Sequence, residues 1–153
     1  MSVSVQHEDF DTGAELTALR QDPSVGAIAS FVGTVRDINA GDGVASLTLE
    51  HYPGMTEKAL SEIVEQAQAR WTLNAVRVIH RVGELRPTDQ IVLVAVACRH
   101  RGDAFQACEF IMDYLKTEAP FWKKEETAAG SRWVDARESD HDAARRWSLP
   151  GQG

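Results

Sequence analysis

The sequence lacks the short motifs that mark most nucleotide-dependent and metal-dependent enzymes. It contains no G-x-x-x-x-G-K-[ST] phosphate loop, no G-x-G-x-x-G, no G-x-S-x-G elbow and no H-x-x-x-H pair. The segment Val32-Gly33-Thr34 has a single glycine, which is too few for a phosphate-cradling loop. These absences argue against a P-loop enzyme, a serine hydrolase of the elbow type and a zinc hydrolase.

Cysteine is scarce, and so are long apolar runs. Cys98 and Cys108 form no C-x-x-C pair, have no histidine at zinc-ligand spacing and lie in apolar stretches, so both are predicted to be buried structural residues. No run approaches 18 apolar residues, so no membrane-spanning helix is expected. The first nine residues have no basic region followed by an apolar run, so no signal peptide is expected either. A reducing cytoplasm is the predicted compartment.

A basic excess is also missing, because the formal net charge of the 153 residues is -7. This charge argues against a general binder of nucleic acid or of membrane surfaces. The cations nevertheless gather between positions 99 and 124. They are Arg99, His100, Arg101, Lys116, Lys123 and Lys124. Either this is scattered surface charge, or the chain builds an anion-binding site from these residues.

Hydrophobic periodicity predicts an α+β domain. Helices are predicted over residues 11–20, 57–71 and 103–116, where apolar residues recur at helical spacing. Strands are predicted over residues 3–6, 25–35, 45–52, 76–80 and 90–98, with a closing hairpin over 121–127 and 131–134. Neighbouring strands without an intervening helix favour antiparallel pairing, so mixed or antiparallel sheets with three helices are expected. The length suits one domain over residues 1–147 and a flexible tail over 148–153.

Local signals set the expected boundaries. Asp11 or Thr12 is predicted to cap the first helix and Thr56 the second, while Pro120 ends the third. Residues 37–43 (DINAGDG) are predicted to form a mobile polar loop. In the third helix, Phe105 and Met112 are expected to widen the buried stripe.

Three groups of side chains are candidates for chemistry. Arg36 follows a buried strand and opens a polar loop, and Arg99-His100-Arg101 comes directly before a helix whose first turn favours anions. Lys116 lies near Lys123 in sequence, and clustered cations lower a lysine pKa toward the range useful for proton transfer. The alternatives are a solvated arginine, a solvated turn and a lysine that stabilises a helix C-terminus. Phe121 and Trp122 are either core residues or a surface on which a flat heterocycle stacks.

Several long motifs resemble one family. They are FVGTVR (31–36), LEHYPGMTEKAL (49–60), IHRVGEL (79–85), the pair His100-Arg101, FIMDYLKTEAPFWKKE (110–125) and RWVDARESD (132–140). Together they are similar to the large subunit of molybdopterin synthase, the MoaE family. The resemblance runs from about residue 25 to about residue 147, in the family's order.

The resemblance implies a fold, an activity and partners. The fold would be the α/β-hammerhead of this family, in a homodimer that binds one small ubiquitin-like carrier per subunit to give a heterotetramer. The carrier's C-terminal Gly-Gly thiocarboxylate would donate sulfur to cyclic pyranopterin monophosphate, forming the dithiolene of molybdopterin. The enzyme would then be a sulfurtransferase without a cofactor or a metal.

The resemblance also implies roles for individual residues. Lys116 and Lys123 match the family's catalytic lysines, and Glu125 matches less specifically. The residues expected to bind the substrate or line its pocket are Arg36, His100, Arg101, Phe31, Met112 and Arg137, the last of these from the other subunit of the dimer. Two other classes of function stay open: a non-catalytic pterin- or phosphate-binding module, and a module that only docks a ubiquitin-like protein.

Overall fold

The computed structural model describes residues 2–39, 41–134 and 138–148, without the side chains of residues 42 and 138–140. The described residues form nine strands and four α-helices. The strands are β1 (Val3–Gln6), β2 (Ala27–Thr34), β3 (Ile38–Asn39), β4 (Asp42–His51), β5 (Ala75–Arg81), β6 (Gly83–Leu85), β7 (Gln90–Cys98), β8 (Phe121–Thr127) and β9 (Gly130–Val134). The helices are α1 (Thr12–Leu19), α2 (Met55–Arg70), α3 (Arg101–Glu118) and α4 (Glu138–Arg145), and a 3₁₀ turn follows at Arg146–Ser148.

The first sheet has four strands in the order β1-β5-β7-β2. Its centre is β7, whose residues Val92–Cys98 are all buried, as the continuous apolar run predicted. On one face Val92, Val94 and Val96 pack under α2 and α3. On the other face Leu93 and Ala95 meet apolar residues of α1 and the segment before it. The strand therefore lies between two helical layers, which explains why it has no polar face.

The second sheet carries β3, β4, β8 and β9 in that order, and β6 pairs with β4 as well. On its inner face β4 contributes Leu47 and Leu49, which pack with Leu85 and Val35. Ile91 of β7 also contacts this cluster. The two sheets thus meet along β2, β7 and the inner face of β4, and the mixed α+β class is as predicted.

Two helix starts show how local sequence sets the boundaries. Asp11 caps α1, and its Oδ1 accepts a hydrogen bond from the backbone N–H of Ala14 at 3.1 Å. The predicted cap at Thr56 is wrong, because α2 begins earlier, after Gly54. Thr56 is instead buried in the first turn, where its hydroxyl accepts from the N–H of Tyr52 and donates to the carbonyl of Pro120. Thr56 therefore joins α2 to the start of β8.

Three further features differ from the sequence prediction. Part of the predicted loop 37–43 is a tight hairpin, in which Ile38 pairs with Gly43 across β3 and β4. Phe105 does not join the buried stripe of α3, since its side chain is 63% exposed, whereas Met112 is buried. A fourth helix, α4, was not expected. No helix in the described parts of the chain is long and apolar enough to cross a membrane.

The C-terminal segment docks onto the middle of the molecule. Trp147 is buried against Trp71 and Phe110, with ring centroids 5.7 and 5.5 Å away in edge-to-face geometry. The guanidinium of Arg70 lies over these rings and donates to the carbonyl of Trp147 at 2.8 Å. Residues 149–153 lie outside the described residues, and the single-domain boundary at 147 stays a prediction.

Candidate active site

A cleft of about 320 Å³ opens between the two sheets and the C-terminal end of α3. This volume is within the range of small-molecule sites. Its polar lining comes from the end of β2, the β3 hairpin, β5, α3 and β8. The lining residues are Thr34, Val35, Arg36, Asn39, Val44, Leu47, His80, Ile91, Leu115, Lys116, Ala119, Phe121, Lys123, Glu125 and Val134.

The cleft brings together three of the cations that the sequence singled out: Arg36, Lys116 and Lys123. Arg36 follows β2, whereas Lys116 lies in the last turn of α3 and Lys123 on β8. Since these elements are far apart in sequence, the convergence is a property of the fold. The site therefore suits an anionic ligand, and an ammonium group is chemically able to transfer a proton or to stabilise a developing negative charge.

The backbone beside Arg36 is held on both sides by one turn. The N–H of Val35 donates to the carbonyl of Asp89, and the N–H of Thr88 donates to the carbonyl of Val35, each at 2.9 Å. Thr88 has a φ of 79°, which is unusual for a β-branched residue. The 86–89 turn therefore fixes the point at which Arg36 leaves the sheet.

The pleat of β8 decides which of its side chains reach the cleft. Phe121, Lys123 and Glu125 line the cleft, whereas the intervening Trp122 and Lys124 do not. Lys124 lies instead beside the exposed ring of Trp133 on β9, with its Nζ 5.9 Å from the ring centroid. Same-face residues on a strand are about 7 Å apart, so the aromatic ring, the ammonium and the carboxylate follow each other along the cleft wall.

Glu125 is a carboxylate that is 3% exposed at one end of this row. The side-chain amide of Asn39 donates to its Oε1. Its Oε2 lies 3.8 Å from Nη2 of Arg132 and makes no hydrogen bond to the described part of the chain. Burial of an acceptor without a hydrogen bond costs free energy, so this oxygen is a candidate contact for a ligand donor or for water.

His80 lies at the other end of the row, stacked on Phe121 with ring centroids 3.8 Å apart and planes inclined by 19°. Its Nδ1 is 2.8 Å from the carbonyl oxygen of Arg81. The pKa of His80 is lowered to about 3, chiefly because the ring is buried. The hydrogen bond with the carbonyl of Arg81 acts in the opposite direction, and the positive charges of Lys116 and Lys123 add to the lowering. The ring is therefore neutral at physiological pH. The sequence reasoning missed His80 as a site residue.

Four other predicted site residues do not line this cleft within one chain: His100, Arg101, Phe31 and Met112. His100 caps α3, which begins at Arg101, and Lys116 lies 15 residues after Arg101, which corresponds to roughly 22 Å along a helix. Phe31 is 41% exposed on β2, and Met112 is buried in the core. Arg137 lies outside the described residues. The roles predicted for these residues stay predictions.

Both cysteines are buried, as predicted. Burial raises the pKa of Cys108 to about 11, and it also raises the pKa of Cys98. Neither thiol is a nucleophile at neutral pH. Over the described residues, no group of three or more histidine, cysteine, aspartate or glutamate side chains is arranged to hold a metal ion.

Comparison with known proteins gives concordant matches. Residues 5–118 match the family model described as MoaE protein. A molybdopterin synthase catalytic subunit from Ralstonia nicotianae is 66% identical over 149 residues, which are 97% of this chain and 85% of the relative.

Two solved structures are similar as well. A molybdopterin biosynthesis MoaE protein from Burkholderia ambifaria superposes with a TM-score of 0.83 at 58% identity, covering 97% of this chain and 98% of that one. A complex of subunits 1 and 2 of molybdopterin-converting factor from Helicobacter pylori contains a chain with a TM-score of 0.71 at 19% identity, which covers 90% of this chain and 92% of that one and shows a shared fold.

Proposed function

The chain belongs to the MoaE family, and on that premise we propose that Lys116 and Lys123 carry out sulfur transfer to a pterin in the cleft between the two sheets. Membership of this family, with relatives that are molybdopterin synthase catalytic subunits, makes the chain a sulfur-transferring enzyme of molybdenum-cofactor biosynthesis. The observation that carries the residue assignment is the convergence of Arg36, Lys116 and Lys123 in one cleft of ligand size.

The proposed sulfur donor is the C-terminal thiocarboxylate of a small ubiquitin-like carrier subunit, and the acceptor is cyclic pyranopterin monophosphate. The two-subunit composition of the Helicobacter pylori complex supports a small partner. Both reactants are anionic, because one ends in a thiocarboxylate and the other carries a phosphate. A cleft with three cations in a chain of net charge -7 fits this pair of ligands.

The proposed chemistry has two steps for each sulfur. The thiocarboxylate sulfur attacks a carbon of the pterin side chain while a carbon–oxygen bond at that carbon breaks, and the oxygen leaves with the electron pair and takes up a proton. The product is a thioester between carrier and substrate. Water then attacks the thioester carbonyl, which releases the carrier as a carboxylate and leaves the sulfur on the pterin. Lys116 and Lys123 would stabilise the oxyanion of that attack and handle its protons, while Arg36 binds the phosphate. The buried, protonated Cys98 and Cys108 take no part, so the sulfur comes from the carrier.

The predicted homodimer gives His100 and Arg101 a place in this reaction. Within one chain α3 separates them from Lys116 by roughly 22 Å. We propose that His100, Arg101 and Phe31 reach a cleft across the dimer or where the carrier docks, and that Arg137 reaches it from the other subunit. The homodimer would carry one carrier on each subunit, giving the heterotetramer. The cytoplasmic location remains a prediction from the sequence.

The test is single-turnover formation of molybdopterin from purified chain, thiocarboxylated carrier and cyclic pyranopterin monophosphate. Lys116→Ala is expected to lower the rate by about 100-fold or more, as loss of a group that stabilises developing charge does. Lys123→Ala should also lower it. Lys124→Ala is the matched control, because Lys124 lies on the same strand outside the cleft, and its rate should stay within about twofold of wild type.

Three outcomes separate the alternatives. A wild type that forms product while Lys116→Ala and Lys123→Ala do not supports the assignment. Full turnover by Lys116→Ala would keep the enzyme and remove Lys116 from the mechanism. If the wild type makes no product but binds carrier, and this binding does not depend on either lysine, the docking-module alternative is favoured. If the wild type binds pterin without turnover, the binding-module alternative is favoured.

A further inference from the structure

We propose that His80 is a substrate-recognition residue of this cleft, whose Nε2 accepts a hydrogen bond from a ring N–H of the pterin. The inference rests on the proposed function, since it concerns the same cleft and the same substrate class. It assigns a role to a residue that charge clustering in the sequence does not reveal.

The geometry fixes the tautomer of His80. A backbone carbonyl only accepts hydrogen bonds, so the 2.8 Å contact between Nδ1 and the carbonyl oxygen of Arg81 requires the proton on Nδ1. In a neutral ring the other nitrogen, Nε2, then carries a lone pair. Desolvation keeps the ring neutral and outweighs the hydrogen bond with Arg81, which favours the charged form, and the charges of Lys116 and Lys123 act in the same direction as desolvation. His80 is therefore an acceptor at Nε2 and not a further cation.

The cleft has few such acceptors. Arg36, Lys116 and Lys123 present only N–H donors to a ligand, and Oε1 of Glu125 already accepts from Asn39. These cations suit a phosphate, but a pterin ring also carries N–H groups that lose their hydrogen bonds to water on binding. A buried donor without an acceptor weakens binding. Thr34 and Asn39 carry acceptor oxygens at the mouth of β2 and in the β3 hairpin, while Nε2 of His80 and Oε2 of Glu125 are acceptors at the two ends of the β8 row.

His80 is held in place before any ligand binds. Its ring stacks on Phe121, and the hydrogen bond to the carbonyl of Arg81 prevents the ring from flipping. Phe121 is fixed in turn by its backbone N–H, which donates to the carbonyl of Ala119 at 2.9 Å. An acceptor that is already oriented loses little conformational entropy on binding, which favours selective recognition.

Two substitutions separate recognition from structure. His80→Asn keeps an N–H near the position of Nδ1 and removes the acceptor at Nε2, whereas His80→Gln keeps an amide oxygen near Nε2 and gives up the Nδ1 contact. For steady-state turnover with saturating carrier, we expect His80→Asn to raise KM for cyclic pyranopterin monophosphate about tenfold with kcat changed less than about threefold. His80→Gln should retain a KM closer to wild type. His141→Asn, on the exposed part of α4, is the control and should change neither value.

A measurement on the wild-type chain makes the test independent of folding of the variants. With ¹⁵N-labelled histidine, the Nε2 resonance of His80 should have the shift of an unprotonated nitrogen and should move on addition of cyclic pyranopterin monophosphate. Inorganic phosphate, which has no ring N–H, should leave it in place.

The inference is overturned if the pterin leaves the Nε2 resonance unchanged, or if Nδ1 is the unprotonated nitrogen. It is also overturned if His80→Gln has the higher KM of the two variants. Loss of the Nδ1 contact, and not loss of the Nε2 acceptor, would then weaken substrate binding, which indicates a structural role for His80. Failure of the proposed function would look different: the wild type itself would form no molybdopterin, whereas the Nε2 resonance would still report whether His80 contacts the pterin.

Discussion

Removal of the Trp147 side chain should destabilise the whole domain, although Trp147 lies only six residues from the end of the chain. The ring is 8% exposed, lies edge-on to Trp71 and Phe110, and donates its Nε1–H to Oδ2 of Asp113 at 2.7 Å. Truncation of a buried tryptophan to alanine costs about 3–5 kcal/mol of unfolding free energy. In a domain of this length each kcal/mol lowers Tm by about 2–4 °C, so Trp147→Ala should lower Tm by roughly 10 °C.

The assay is thermal and urea unfolding followed by circular dichroism at one protein concentration. Trp147→Phe keeps most of the packing and loses the hydrogen bond to Asp113, so it should cost only about 1 kcal/mol. Trp133→Ala is the matched control, since Trp133 is 62% exposed and its loss should change stability by less than about 0.5 kcal/mol. If Trp147→Ala unfolds within about 1 kcal/mol of wild type, the docking of the C-terminal segment contributes little and the reasoning is wrong.

The buried histidine, two glycines and the two cysteines each allow a further test. The pKa of His80 is about 3 in the folded chain and 6.5 in the unfolded chain. Between these two pH values His80 binds a proton in the unfolded chain but not in the folded chain. Unfolding free energy should therefore fall by up to about 1.4 kcal/mol per pH unit as the pH drops from 6.5 toward 3, and urea titrations of His80→Gln should show a shallower fall. Gly26→Ala should lower Tm strongly, because a Cβ there would lie 2.2 Å from the carbonyl oxygen of Arg99. Gly102→Ala is the matched control: a Cβ at Gly102 meets open space, so Tm should stay unchanged or rise. Calorimetry of the two variants checks both expectations. Iodoacetamide at pH 8 should leave Cys98 and Cys108 unmodified in the folded chain and alkylate both in urea. Mass spectrometry checks this, and alkylation of either thiol in the folded chain would contradict its burial.

The parts of the fold that the sequence predicted are those with strong periodicity. The apolar run of β7 indicated a strand covered on both faces, and the alternation of Leu47 and Leu49 indicated the buried face of β4. The predicted helices agree with α1, α2 and α3 to within a few residues at each end. In these elements one local pattern agrees with the burial that the tertiary structure imposes.

The parts that the sequence did not predict depend on long-range pairing. β6 has three residues, too few for a pattern, and exists because Leu85 pairs with Leu47 of β4. β1 is parallel to β5, although the lack of intervening helices elsewhere favoured antiparallel pairs. Such strands are defined by partners that are distant in sequence, and no window around them carries the information.

The candidate site was predicted in the same uneven way. Arg36, Lys116 and Lys123 were singled out from charge, position and the family's motifs, and the fold brings them together. Charge clustering in sequence grouped His100 and Arg101 with Lys116, but the length of α3 separates them within one chain. His80 gave no charge signal, because its role depends on burial and on a stacked neighbour from β8. A histidine on the inward side of a strand beside an apolar core was the available clue.

Lys123 and Lys124 are neighbours of identical chemistry, yet only the first lines the cleft. The pleat alone distinguishes them, since a strand presents consecutive side chains to opposite faces. Gain of one residue directly after Phe121 would shift the residues that follow to the opposite face, so that Trp122 and Lys124 would take the positions of Lys123 and Glu125 on the cleft wall. We therefore expect residues gained among relatives to avoid this stretch and to fall instead in the turn at 128–129, which lies outside the paired residues of β8 and β9.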